Sequence, residues 1–155
     1  MLNAISGIWQ VLTLAERLKF ELRHSWLSNG RQESVAEHTW QMALMAVLMH
    51  RHLETPVDLG RTLQMIIVHD LIEAEAGDVP FFETGKRQEQ KTAREKAAIE
   101  QIRNLLPPDT GQSVYELWYE FEAKETLEAK FAKALDNLEV QIQHNQASIE
   151  TWEEI

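Results

Sequence analysis

The chain has 155 residues, enough for one domain that buries roughly two-thirds of its unfolded surface and too few for two ordinary ones. Fifteen Lys and Arg against 25 Asp and Glu leave a net charge of -10, which repels polyanions and speaks against a nucleic acid polymer as partner, although a small phosphorylated ligand in a locally positive pocket stays compatible. Cysteine is absent, so disulfides and thiolate ligands are excluded, and no uninterrupted apolar run reaches the roughly 18 residues of a membrane span.

Glycine (6) and proline (4) are scarce, a balance that favours long helices. The first predicted helix runs from about Asn3 to Arg23, with Ile8, Val11, Leu12, Ala15, Leu18 and Leu22 at three- and four-residue steps, and Ser28-Asn29-Gly30 breaks it. Ser34 and Glu37 have capping-box spacing before a helix reaching about His52, whose centre, Ala43 to Met49, is apolar on every side and predicts a place inside a bundle. Asp58 caps a third helix through Ile66, Ile67, Asp70 and Ala74, stopped by Gly77 and Pro80. From Thr84 to Leu106 a thin apolar stripe among many charges predicts the most exposed helix, ended by Pro107-Pro108. Its run of Lys86, Arg87, Lys91, Arg94 and Lys96, interleaved with glutamates, reads as a solvated face. Ser113 to Glu116 reads as a second capping box opening a short helix, and a last helix spans about Thr126 to Ser148. The expectation is an all-α, single-domain bundle of about six helices over residues 1–155.

Four polar residues fall on inward faces of this pattern. His38 shares its face with Val35, Met42 and Met45, and Asp136 shares one with Ala129, Ala132 and Val140. His69 and Asp70, adjacent on the third helix, both reach a point between that helix and its neighbours. Polar groups withdrawn from water cost several kcal/mol each unless paired, and one divalent metal ion is the partner common to two imidazoles and two carboxylates. Glu73 follows on the same side of the helix and Asp78 comes just past the glycine break, which places two further acids near such an ion as candidate catalytic groups.

The segments Glu33-Ser34-Val35-Ala36-Glu37-His38, His69-Asp70-Leu71-Ile72-Glu73 with Gly77-Asp78-Val79-Pro80, and Glu128-Ala129-Lys130 with Lys133-Ala134-Leu135-Asp136 together resemble the HD-domain metal-dependent phosphohydrolases. More narrowly, the chain is similar to the small helical group that includes the bacterial 5'-deoxynucleotidases, over about Ala15 to Gln146. The resemblance implies the HD-domain fold, with His38, His69, Asp70 and Asp136 as metal ligands and Glu73 as the acid handling the attacking water. It implies Arg23 and Arg31 as the groups that hold the substrate phosphate. Where the bacterial nucleotidases follow the first arginine with an aromatic residue, this chain has His24, with Trp26 two further on, a departure that bears on nucleotide preference.

Two imidazoles and two carboxylates leave two positions of an octahedron open, which suits manganese, cobalt, iron, nickel or magnesium better than a closed structural zinc site. The expected reaction is hydrolysis of a nucleoside or deoxynucleoside 5'-monophosphate to nucleoside and phosphate. A phosphodiesterase, a hydrolase of nucleoside triphosphates or alarmones, and a metal-binding module without turnover remain open on the same ligands. A homodimer, a cytoplasmic location, no membrane partner and a flap over residues 81–90 complete the expectations. Trp9, Trp40, Trp118 and Trp152 each read as ordinary core or surface residues, and His50, His52 and His144 are assigned no function.

Overall fold

Helix α1 (Leu2–Ala15) stops well before its apolar periodicity does. A 3-10 turn over Glu16–Lys19 buries Leu18, the last residue of the stripe to reach the core, and the chain then leaves the helical path. Strand β1 (Leu22–Trp26) pairs antiparallel with β2 (Gln32–Ser34), in the register Leu22 opposite Ser34 and Trp26 opposite Gln32, with an irregularity between. Gly30, at φ +81°, supplies the left-handed residue that this turn requires. The predicted helix through Arg23 is therefore corrected to a helix followed by a hairpin. Leu22, counted as part of its apolar face, is exposed. The computed structural model describes residues 2–76 and 86–152, with the backbone alone for 2, 3, 76 and 86–90.

Ser34 ends β2 and caps α2 (Val35–Met49) with both halves of the capping box: its Oγ accepts from the Glu37 backbone, and Glu37 accepts from the Ser34 backbone at 2.9 Å. Val35, His38, Met42, Met45 and Ala46 turn inward. The opposite face, Trp40, Leu44, Val47 and Leu48, is exposed, so α2 is not enclosed on all sides as its composition implies.

Asp58 caps α3 (Leu59–His69) by accepting from Arg61 N at 3.0 Å. The helix predicted through Ala74 breaks at Asp70 (φ -94°, ψ 2°), and tight bonds from Leu71 N to Val68 O and from Glu73 N to Asp70 O lead into the single turn of α4 (Glu73–Ala76). Helix α5 (Lys86–Leu105) buries Ala98, Ile99 and Ile102. Helix α6 (Pro108–Ala123) begins at its proline, which presets the first helical φ and has no N–H to leave unpaired. Ser113 consequently lies inside the helix and opens nothing, correcting the second capping box. Gly111 is required there, since a Cβ would overlap the Arg103 carbonyl of α5. Thr126 caps α7 (Leu127–Gln146), as its position predicts.

The fold is helical, with the hairpin as a small addition. The main core joins residues of α1, α2, α3, α5, α6 and α7. Helix α3 packs against α2, α6 and α7, and α2 lies against α7, so the C-terminal end of α3, the first turn of α2 and the middle of α7 meet. Among the described residues no helix is long and apolar enough to cross a membrane.

Candidate metal centre and its cavity

The three helices bring His38, His69, Asp70 and Asp136 to one place. His38 Nε2 lies 3.2 Å from Asp136 Oδ1 and 3.8 Å from Asp70 Oδ2, and His69 Nε2 lies 3.1 Å from Asp70 Oδ2. Donor atoms of His38, His69 and Asp136 all fall within 4.8 Å of one another. The break at Asp70 turns its carboxylate to the same side as the His69 ring, which a continuous helix would set about 100° apart.

The other nitrogen of each ring is already committed. His69 Nδ1 donates to the Ile66 carbonyl at 2.6 Å, and His38 Nδ1 donates to Glu139 Oε2 at 2.6 Å. A backbone carbonyl only accepts, so the proton of neutral His69 sits on Nδ1 and its Nε2 presents a lone pair. That lone pair and Asp70 Oδ2 are both buried and without a hydrogen-bond partner among the described residues. Two buried acceptors 3.1 Å apart repel unless positive charge, a metal ion or protons, lies between or beside them. The donor set of two nitrogens and two oxygens fits a borderline or hard divalent ion.

By the protein's own groups alone, protons supply part of that positive charge. Burial opposes a charged His38, but hydrogen bonds to Asp136 and Glu139 outweigh it and push its pKa up to about 9. Burial likewise opposes an ionised Asp136, yet His38, His69 and Lys133 hold its carboxyl well below the usual carboxylate range. Asp70 is held low against burial by His69, His38 and Arg23.

His69, Asp70 and Asp136 line a cavity of about 470 Å³, and His38 is wholly buried beside them. Glu73 lines it from α4, Arg23 from β1, Lys133 from α7, and Trp118 and Phe121 from α6. Arg23 Nη1 stands 3.8 Å from Asp70 Oδ2, and its Nε stands 3.7 Å from Glu33 Oε2. Lys133 Nζ lies 2.7 Å from Asp136 Oδ2 and passes over the Phe121 ring. Arg31 is elsewhere, exposed and paired through both terminal nitrogens with Glu37, at 2.6 and 3.1 Å. Asp78 and residues 81–85 of the expected flap lie outside the described residues, and 86–90 form the start of α5. The charged face of α5 is not wholly solvated: Lys91 and Glu95, 3.6 Å apart, also line the cavity. Burial pushes the Glu95 carboxyl up against the pull of Lys91.

Three residues of this neighbourhood carry no role in the sequence reading: Glu139, Glu33 and Lys133. Glu139 and Lys133 lie three residues to either side of Asp136 and so share its face of α7, the one signal that points to them. Glu33 is buried at the end of the hairpin, and burial, reinforced by the charge of Glu139, pushes its carboxyl up to about 7.

The sequence pattern of the HD domain family matches residues 15–155, which takes in every residue of this centre. The chain belongs to the HD domain family. This HD-domain chain is 35% identical over 139 residues to human 5'-deoxynucleotidase HDDC2, covering 88% of itself and 66% of that protein. It is 35% identical over 144 residues to the Xenopus laevis 5'-deoxynucleotidase HDDC2, covering 91% and 69%. It thus spans about two thirds of the length of these curated relatives. A predicted metal-dependent phosphohydrolase from Magnetospirillum magnetotacticum MS-1 superposes with a TM-score of 0.85 at 33% identity, covering 93% of this chain and 72% of the other. The resemblance carried by the three sequence segments is confirmed at the level of family and fold.

Proposed function

We propose that this HD-domain chain is a metal-dependent phosphohydrolase that cleaves nucleoside 5'-monophosphates, deoxynucleotides above all, to nucleoside and phosphate. The observation that carries this reading is the convergence of His38, His69, Asp70 and Asp136, the last three of them lining a cavity that also holds the Glu73 carboxylate and cationic groups. The relatives named 5'-deoxynucleotidases support the substrate class. The cavity's 470 Å³ lies in the range of ordinary small-molecule sites, roughly 300–1,000 Å³.

His38, His69, Asp70 and Asp136 would hold one divalent ion, with manganese, cobalt, iron, nickel and magnesium all compatible with the donors. When bound, such an ion polarises a phosphoryl oxygen and acidifies a water molecule. Carboxylates that line the cavity outnumber its Arg and Lys side chains by two, so a dication is also what balances the charge for an incoming phosphate. Arg23, beside Asp70, and Lys133, beside Asp136, line the cavity and would hold the phosphate, whereas the surface pairing of Arg31 with Glu37 gives Arg31 no such support. Glu73 takes a proton from the attacking water as its oxygen bonds to phosphorus. The ester bond then breaks, and the 5'-oxygen leaves with a proton, with Asp78 the second proposed acid. Phosphate release from a panel of monophosphates with manganese or cobalt tests this. Glu73→Ala is expected to lose about 100- to 10,000-fold in turnover while retaining the ion, and undiminished turnover would refute the role.

The same reading treats residues 1–155 as a single HD-type domain working in the cytoplasm as a homodimer. Trp40, Leu44, Val47 and Leu48 form one exposed apolar face of α2, with Ile67 of α3 also exposed, a grouping larger than scattered surface residues need. Light scattering is expected to give a dimer mass for the wild type and a monomer mass for the double variant Trp40→Glu, Leu48→Glu. A monomeric wild type would remove the proposal.

A further inference from the structure

Glu139 is wholly buried, yet it is not among the residues that line the cavity. Its Oε2 accepts the Nδ1 proton of His38 at 2.6 Å, across 101 residues of sequence, while Oε1 has no hydrogen-bond partner among the described residues. This carboxylate, kept out of water at such a cost, takes the His38 proton and has the buried Glu33 carboxyl as its other close neighbour. Neutral imidazole has two tautomers of similar energy, and only the one protonated on Nδ1 leaves Nε2 bare toward Asp70 and Asp136. In His69 the Ile66 carbonyl enforces that choice. In His38 the enforcing group is a side chain from another helix.

We propose that Glu139 is the positioning residue of the metal centre, pinning the His38 proton on Nδ1 and so holding the Nε2 lone pair toward the point shared with His69, Asp70 and Asp136. The inference rests on the metal-centre reading above. A carboxylate acceptor also makes the opposite ring nitrogen a more basic ligand, an effect that a neutral acceptor of the same shape supplies poorly. Glu139→Gln therefore separates orientation and basicity from packing, because the amide fills the same space.

The test is calorimetric titration of manganese or cobalt into wild type, Glu139→Gln and Glu128→Gln. Glu128 sits in the first turn of the same helix, where it accepts from Asp58 N at 2.8 Å, away from the centre, and controls for the loss of one charge. Glu128→Gln is expected to match the wild type, and Glu139→Gln to bind about 10- to 100-fold more weakly while its circular dichroism shows a folded protein. Nitrogen-15 imidazole spectra of wild type loaded with diamagnetic magnesium or zinc are expected to show the His38 proton on Nδ1. Equal affinity of Glu139→Gln and wild type overturns the proposal, whatever happens to thermal stability, and so does a His38 proton found on Nε2. Should Glu139→Gln not fold, Glu139→Asp, which keeps the charge but draws it back from His38, takes its place in the titration, and affinity equal to the wild type overturns the proposal. A wild type that takes up no ion removes the metal centre itself, a result distinct from an ion that binds regardless of Glu139.

Discussion

Lys133 shows how one side chain serves two neighbours. Its ammonium holds Asp136 Oδ2 at 2.7 Å, which leaves Oδ1 to face His38, and the same ammonium lies over the Phe121 ring, 5.6 Å from its centre. Lys133→Met keeps the stem and removes the charge. Charge-assisted hydrogen bonds of this kind contribute about 1.5–3 kcal/mol, so kcat/KM for a nucleoside monophosphate is expected to fall roughly 10- to 100-fold. Inhibition by inorganic phosphate should weaken in parallel, and steady-state kinetics with phosphate as inhibitor check both. A variant that loses turnover but keeps its phosphate inhibition would show that Lys133 acts only through Asp136. At this scale the sequence was legible where chemistry and periodicity disagreed: His38 and Asp136 stand out as polar residues among Met42, Met45, Ala129 and Ala132. Lys133 and Glu139 were not, because charged residues on an amphipathic helix ordinarily mark its solvated side, and only the packing of α7 on α2 reverses that here.

Among the elements, the start of α2 was the most legible, since Ser34 and Glu37 satisfy each other's backbone wherever the rest of the chain goes. Glu37 also pairs with Arg31, and this pairing, helped by Ser34 against a little burial, lowers its carboxyl to about 2. A carboxyl whose pKa falls on folding contributes stability that is fully present above its unfolded value, near 4.5, and is lost as pH drops through the folded value. Wild-type stability should therefore decline between about pH 5 and pH 2 more steeply than that of Glu37→Gln, followed by urea unfolding across that range. Both partners are substantially exposed, so the difference at neutral pH should stay within about 1 kcal/mol. The hairpin and the break at Asp70 were not legible for a shared reason. Leu18 and Leu22 extend the helical spacing of α1, and Leu71 to Ala76 extend that of α3, so local pattern continues where tertiary contacts redirect the chain. The redirected chain gains β1–β2 pairing in the first case and a common aim for His69 and Asp70 in the second.

For the molecule as a whole, the centre lies where α2, α3 and α7 meet, so an ion there links parts of the chain that are 98 residues apart between His38 and Asp136. The family and the four residues that meet at the centre were readable from three short segments, but the cavity was not, because Lys91, Glu95, Trp118 and Phe121 reach it from α5 and α6, helices whose sequence reads as surface and core. A ligand that binds only the folded state stabilises it by mass action, about 2.7 kcal/mol when free ion stands at a hundred times its dissociation constant. In a chain of this size each kcal/mol moves the melting temperature by about 2–4 °C, so saturating manganese should raise it by roughly 5–10 °C over protein held in chelator. Asp136→Asn removes a carboxylate proposed to hold the ion while keeping its volume, and its melting temperatures with ion and with chelator should coincide. Differential scanning calorimetry of both proteins under both conditions measures this directly. A wild-type melting temperature indifferent to chelator would mean that protons on His38 and its neighbours satisfy the buried carboxylates unaided, and that the lone pairs of His69 and Asp70 are held together by packing alone.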